Sequence, residues 1–129
     1  MEVVSFDQPT ERNGVTVDQP LDVLAFARAI NELLVLASLE DAPKHGYQIA
    51  LELEERSRGM FVLQHGTLYP VLHRLEKAKL VRGSWQGKGG RRRRVYALTE
   101  AGKARLAEDA ERTNDVLRGL LRMVGRRSA

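Results

Sequence analysis

Residues 66–98 have the sequence GTLYPVLHRLEKAKLVRGSWQGKGGRRRRVYAL, and this stretch decides the fold. Its first part places Leu68, Leu72 and Leu75 on one face of a predicted helix. Its second part predicts two strands, over 80–85 and 93–98, around a glycine-rich turn at 86–91. The stretch is therefore a helix followed directly by a hairpin whose tip is cationic.

The predicted helix has its own start signals. We expect it to begin near Gly66, with Thr67 as its capping residue. Pro70 is then expected in the first turn, where a missing N–H group breaks no helical hydrogen bond.

Two more helices are predicted upstream of this stretch. Apolar residues spaced by three and four predict a helix over 21–39, buried over a wide face. Pro43 separates it from a second helix over about 45–57. The apolar run at 60–63 predicts a small strand or a packed turn. The residues of the second helix expected to face inward are Tyr47, Ile49, Ala50 and Leu53.

A long last helix follows the hairpin, capped by Thr99 and extending to about Val124. The predicted fold class is mainly α with a small β-hairpin (α+β), a winged helix-turn-helix with a long C-terminal dimerisation helix. We expect a flexible N-terminal arm at 1–18, the winged helix-turn-helix domain at 19–98, the dimerisation helix at 99–124 and a tail at 125–129.

Composition narrows the function. The net charge of +4 is unevenly distributed, with 5 Lys/Arg against 11 Asp/Glu in residues 1–64 and 16 against 6 in residues 65–129. The chain lacks cysteine, and its N-terminus resembles no export signal, so we expect a cytoplasmic protein without a membrane span. His45, His65 and His73 lie in different elements, which predicts no metal site. No catalytic constellation is present, so we predict neither an enzyme nor a cofactor.

The basic second half points to double-stranded DNA. Arg74 and Lys77 are predicted on the outer face of the third helix, and the hairpin carries the cluster Lys88, Arg91, Arg92, Arg93 and Arg94. Cations placed on phosphates release counterions and so supply affinity that does not depend on sequence. Because strand side chains alternate between faces, we favour Arg91 and Arg93 as the phosphate contacts. The alternative is a hairpin whose charges serve only solubility.

The last helix carries a seam typical of a short coiled coil. Its apolar positions alternate by four and three residues. Such a seam predicts a homodimer on a pseudo-palindromic operator, although the helix could instead fold back on its own core. The residues assigned to the dimer interface are Leu24, Leu106, Ala110, Thr113, Leu117, Leu120 and Val124.

Three motifs, in this order, resemble the PadR family of bacterial transcriptional regulators. They are LVLA at 34–37 with HGYQI at 45–49, GTLYPVLHRLE at 66–76, and GGRRR at 89–93 through YALTEAG at 96–102. The resemblance covers 33–106 and implies a winged-helix domain with a single C-terminal dimerisation helix, as in a compact subclass of the family. It also implies repression that a small-molecule effector relieves.

The resemblance further implies which residues contact DNA. The third helix would be the recognition helix, with contacts from Thr67, Tyr69, His73 and Arg74, and Tyr47 would touch phosphate. Tyr47 and Tyr69 are alternatively core residues. At Lys79 the family commonly has glycine, so the end of the helix is expected to differ here. Residues 99–129 contain no Phe, Trp or Tyr, so an aromatic effector pocket on the last helix is not predicted.

Binding of a protein or RNA remains an alternative to sequence-specific DNA binding. A winged-helix module can bind a protein or RNA without specific DNA readout, and the hairpin arginines suit RNA phosphates as well. The predicted outer face of the third helix offers no platform of exposed aromatics for stacking bases, which favours duplex DNA.

Overall fold

The computed structural model describes residues 10–12, 15–17 and 20–125. These residues form four helices and five strands. The helices are α1 Val23–Ser38, α2 Gly46–Arg56, α3 His65–Lys77 and α4 Glu100–Val124. The strands are β1 Thr10–Arg12, β2 Val15–Val17, β3 Lys44–His45, β4 Val81–Gln86 and β5 Arg93–Leu98.

One apolar core joins the three N-terminal helices to the base of the hairpin. Its α3 members confirm the face predicted from the sequence, with Leu68, Leu72 and Leu75 all buried. Leu63 is also buried, although residues 61–64 form neither helix nor strand. The remaining core residues are Val35, Leu36, Leu39, Ile49, Leu53, Val71, Leu80, Val81, Tyr96 and Leu106.

Helix α3 begins one residue earlier than predicted. Gln64 is its N-cap, because the Gln64 carbonyl accepts hydrogen bonds from Thr67 N at 2.9 Å and Leu68 N at 2.8 Å. Thr67 therefore lies inside the first turn and does not cap the helix. Pro70 lies in the second turn, not the first, so one intrahelical hydrogen bond is missing there.

The end of α3 uses a left-handed residue that is not glycine. Lys79 has φ 64°, and the hydrogen bonds Lys79 N to Glu76 O and Leu80 N to Leu75 O, both 2.9 Å, complete a Schellman motif. The geometry of the helix end is therefore retained despite the lysine, which carries the steric cost of a Cβ in this conformation.

The hairpin belongs to a three-stranded antiparallel sheet in the order β3–β5–β4. Strand β3 was not predicted, since a two-residue strand leaves no periodic pattern. Its Lys44 is buried, and its ammonium donates to Ser38 O at 2.6 Å and Asp41 Oδ1 at 2.6 Å and pairs with Glu52 Oε1 at 3.2 Å. Burial lowers the Lys44 pKa, but the bonds to Asp41 and Glu52 outweigh it, so the pKa is raised.

Helix α4 starts as predicted. The Thr99 hydroxyl accepts a hydrogen bond from Gly102 N at 3.0 Å, and Gly125 ends the helix in the left-handed conformation. Gly102 is required by close packing, because a Cβ there would clash with the Leu80 carbonyl oxygen. This contact holds the start of α4 against the base of the hairpin.

Near the N-terminus, strands β1 and β2 form a short antiparallel hairpin inside the segment predicted as a flexible arm. The rest of that arm, residues 1–9, 13–14 and 18, and the tail residues 126–129 lie outside the described residues. The flexibility of the arm at 1–18 and the predicted domain boundaries therefore remain predictions.

Candidate nucleic-acid interface

The outward strip of α3 is formed by residues spaced by four. Successive residues of an α-helix are turned by about 100°, so Tyr69, His73 and Lys77 lie side by side, away from the buried leucines. His73 and Lys77 are exposed, and Tyr69 is 41% exposed. The strip therefore combines hydrogen-bonding and cationic groups on a rigid element.

The start of α2 adjoins this strip. Tyr47 is 63% exposed, so its predicted inward orientation is wrong, and it is not a core residue. The first turn of α2 points Tyr47 outward because Ile49 and Leu53 occupy the buried face of this helix. A Cβ on Gly46 would clash with the Tyr69 hydroxyl, so glycine lets α3 and the start of α2 approach closely.

A cleft of about 350 Å³ lies where α2, α3 and the hairpin meet. Polar and cationic groups surround it. The cleft is lined by His45, Gly46, Tyr47, Tyr69, Arg93 and Arg94.

The hairpin presents its cations on two faces. Arg93 lies opposite Gln86, and its guanidinium donates to His45 Nε2 at 2.9 Å. Burial and then the nearby Arg93 charge lower the pKa of His45, which favours the neutral imidazole that can accept this bond. Arg91 forms part of a short 3₁₀ turn at the tip, and Lys88, Arg91, Arg92 and Arg93 are all exposed.

The other face of the hairpin holds an aromatic residue. Arg94 lies directly opposite Trp85, which is 56% exposed. The guanidinium groups of Arg92 and Arg94 lie 5.1 Å and 5.4 Å from the centroid of the Trp85 ring. His45 and Trp85 were not predicted as site residues, and Arg94 was predicted only as a member of the cationic cluster of the hairpin. Strand alternation alone would have placed Arg94 away from Arg93.

Arg74 lies at the flank of the outward strip, about 60° around the helix axis from Lys77. It is turned about 140° from Tyr69 around the helix axis. Its Nε lies 3.3 Å from Glu32 Oε2 on α1, and its side chain is 55% exposed. Thr67 is exposed on the same side of the helix. The ion-pair partner of Arg74 is thus a residue of α1, 42 residues away in the sequence.

The residues assigned to the dimer interface separate into two groups. Leu106 is 8% exposed and packs in the subunit's own core, so its assignment to the dimer interface is corrected. Thr113 is partly covered and its hydroxyl donates to Asp109 O at 2.7 Å. Ala110 is exposed. The large exposed members are Leu24 at 66%, Leu117 at 51%, Leu120 at 54% and Val124 at 63%.

Helix α1 is less covered than its pattern predicted. Its C-terminal half supplies Val35 and Leu36 to the core, whereas Val23 is 70% exposed. Leu121, which the sequence analysis did not assign, is 61% exposed beside Leu117 and Leu120 on α4. Within 20–125, an apolar surface therefore extends over the C-terminal half of α4, with a second one at the start of α1.

Over residues 10–12, 15–17 and 20–125, no group of His, Asp or Glu side chains is arranged to hold a metal ion. No helix in this part of the chain combines the length and the apolar character needed to cross a bilayer.

Comparison with known proteins decides the family. The sequence model of the "Transcriptional regulator PadR-like family" matches residues 35–108. The chain belongs to this family. The transcriptional regulator Rv3488 of Mycobacterium tuberculosis is 40% identical over 96 residues, which is 74% of this chain and 87% of that protein. The PadR family membership confirms the predicted resemblance and the prediction that the chain is a transcriptional regulator and not an enzyme.

Solved structures share the winged helix-turn-helix architecture. A PadR family transcription regulator from Clostridium difficile superposes with a TM-score of 0.61 at 28% identity, covering 74% of this chain and 98% of that chain. Bacillus subtilis PadR, solved in complex with operator DNA, superposes with a TM-score of 0.56 at 22% identity, covering 61% of this chain and 46% of that chain. The predicted α+β fold class is confirmed.

Proposed function

We propose that this PadR-like protein is a cytoplasmic homodimer that binds a pseudo-palindromic operator in double-stranded DNA and represses transcription until a small-molecule effector releases it. One observation carries the proposal. The outward strip of α3, the start of α2 and the arginine hairpin meet at a single cationic surface around the cleft. A rigid helix flanked by a cationic hairpin matches the shape and charge of a duplex groove and its backbone.

The two parts of this surface have different tasks. Phosphate contacts carry no sequence information, so Lys88, Arg91, Arg92 and Arg93 would supply general affinity. Base edges would be contacted from α3 by Tyr69, His73 and Lys77, with Thr67 and Arg74 at its flank. Arg74 would first have to leave Glu32. B. subtilis PadR, which has the same fold, was solved with operator DNA.

The dimer is proposed from the exposed apolar surface of α4. In 10–12, 15–17 and 20–125, Leu106 is the last buried residue along α4, yet Leu117, Leu120 and Val124 continue its stripe. Because each of these side chains is already about half covered, completing its burial contributes about 1–1.5 kcal/mol. Two copies of the stripe, one from each subunit, bury one another, and Leu24 and Val23 of α1 would extend the contact.

The proposal of a small-molecule effector rests on the family resemblance alone. With no aromatic residue in 99–129, the proposal does not include a ring-stacking site on α4. The RNA alternative has one specific observation in its favour, because Tyr47, Tyr69 and Trp85 are exposed aromatics around the cationic surface.

A competition experiment tests the proposal. A duplex is selected from a random pool by the wild-type protein, and its affinity is compared with a scrambled duplex and a single-stranded RNA of equal length at one salt concentration. We expect the selected duplex to bind at least 10³-fold more tightly than the scrambled duplex, as specific regulators do. Equal affinity for both duplexes, or preference for the RNA, would contradict the proposal. Light scattering at micromolar concentration should show a dimer.

A further inference from the structure

The guanidinium of Arg94 points towards the recognition helix. Its Nη2 lies 2.5 Å from Glu76 Oε2, and each of the two side chains is 31% exposed. Glu76 belongs to α3, whereas Arg94 belongs to β5. The ion pair therefore connects the two elements on which DNA binding is proposed to depend.

A glycine makes room for this connection. A Cβ on Gly83, on the neighbouring strand β4, would lie 2.8 Å from Arg94 Nε and 2.9 Å from its Nη2. Since Gly83 has no side chain, the Arg94 side chain lies flat across the sheet and reaches Glu76. The φ of Gly83 is one that other residues adopt, so close approach alone explains the glycine.

Two aromatic residues border the same guanidinium. Trp85, directly opposite on β4, lies 5.4 Å from it, within the distance of a cation–π contact. The buried Tyr96 lies two residues along β5 on the same face, near enough for the Arg94 charge to oppose the rise in the Tyr96 pKa that burial causes. Arg94 thus forms an ion pair with Glu76 and also contacts aromatic groups, so its charge is already neutralised within the protein. Its neighbour Arg93 bonds to His45 instead, although both arginines line the cleft.

We propose that Arg94 is a positioning residue that fixes the angle between the hairpin and α3 through Glu76 and Trp85, and that it does not contact DNA. The inference rests on the proposed DNA-binding function. Strand β3 pairs only with Val95 and Tyr96, so the outer part of the hairpin is a two-stranded ribbon, which is marginally stable without further packing. If α3 lies in a groove while the hairpin holds a phosphate, both contacts form together only when their relative placement is fixed to within about 0.5 Å.

The Glu76→Gln variant distinguishes a positioning role of Arg94 from a phosphate contact, because the two roles predict opposite changes in DNA affinity. Removal of a negative charge near DNA should strengthen binding if Arg94 is a phosphate contact. If Glu76 holds Arg94 in place, Glu76→Gln instead weakens binding to the selected duplex by about three- to tenfold. Arg94→Gln should weaken it equally, and the double variant should be no weaker than either single variant, since all three break one link.

Trp85 is the chain's single tryptophan and reports on the hairpin without any DNA. In the free protein, Glu76→Gln and Arg94→Gln should both shift its emission and lower its anisotropy. Gly83→Ala displaces the guanidinium while leaving both charges in place and should reproduce these changes. Arg112→Gln, which removes the same positive charge from α4, is the matched control for Arg94→Gln. Circular dichroism checks that each variant is folded.

The proposal is overturned if Glu76→Gln binds the selected duplex as tightly as wild type or more tightly. It is also overturned if Arg94→Gln flattens the salt slope by about one unit, the mark of a lost phosphate contact. Unchanged Trp85 emission and anisotropy in all three variants would overturn it without reference to DNA. If wild-type protein binds no duplex, the proposed function fails, and the Trp85 measurement still decides whether the link holds the hairpin.

Discussion

The arginine hairpin allows a quantitative prediction about DNA affinity. Arg91 at the tip and Arg93 at the start of β5 are both exposed, and Arg93 approaches the cleft through His45. We consider Arg91→Ala combined with Arg93→Ala. Neither side chain belongs to the core, so the folded structure should persist.

The expected loss follows from counterion release. Each phosphate contact contributes about 0.9 to the slope of log K against log salt, so two contacts contribute about 1.8. The same relation predicts a loss of about 30-fold in affinity at about 0.15 M salt and about 200-fold at about 0.05 M. Because phosphates carry no sequence information, selected and scrambled duplexes should be affected alike.

Fluorescence anisotropy with labelled duplexes over a series of salt concentrations measures this slope. The matched control is Arg112→Ala combined with Arg118→Ala, which removes the same charge from exposed positions on α4. The control should shift long-range attraction slightly and leave the slope unchanged, since charges beyond about 10 Å are screened at about 0.1 M salt. A wild-type slope in the hairpin variant would remove the hairpin from the DNA interface and refute the reasoning.

Three further predictions concern single positions. Arg74→Ala should cost about 1–3 kcal/mol on the selected duplex and much less on the scrambled one if Arg74 reads a guanine; an unchanged affinity ratio would leave it as a partner of Glu32 only. Lys79→Gly should stabilise the protein by about 0.5–1 kcal/mol in thermal unfolding, because it removes the steric cost of a Cβ in the left-handed conformation. Lys77→Gly, inside the helix, should destabilise the protein by a similar amount, and changes of the same sign in both variants would contradict the prediction. Leu120→Asp should yield a folded monomer by light scattering and circular dichroism, since Leu120 is 54% exposed within the subunit; a persistent dimer would place the interface elsewhere.

The local elements of this protein follow from its sequence. The spacing of Leu68, Leu72 and Leu75 predicts the buried face of α3, and the Thr99 hydroxyl caps α4 as expected. The positions of the strands flanking the glycine-rich tip were also predictable. These features depend on neighbours within a few residues along the chain, where the helical and strand periods translate directly into structure.

The departure at Lys79 shows where this local control ends. The hydrogen bonds of the helix end form with lysine in the position where glycine is favoured, because Leu75 and Leu80 both remain buried in the core. Packing therefore overrides a backbone preference of about 1–2 kcal/mol. The sequence indicated the conflict, and the tertiary structure decided its outcome.

Contacts between residues far apart in the chain were not predictable. Arg74 meets Glu32 from 42 residues away, and Arg94 meets Glu76 from 18 residues away. A charge run reveals its sign and number, but which cations are already paired depends on which elements pack together. Only the folded chain separates Arg94, held by a carboxylate, from its neighbour Arg93.

The tertiary structure likewise decided which apolar side chains of α4 are buried and which stay exposed. The stripe on α4 is continuous in sequence, yet its first member, Leu106, lies in the core, whereas Leu117 and Leu120 remain exposed. The sequence by itself determined the four helices, the two strands of the cationic hairpin and the family, whereas β1, β2 and β3 were not predicted. The packing of α1 and the hairpin against α3 and α4 decided which of those side chains stay available, because burial and ion pairing depend on distances in space and not along the chain.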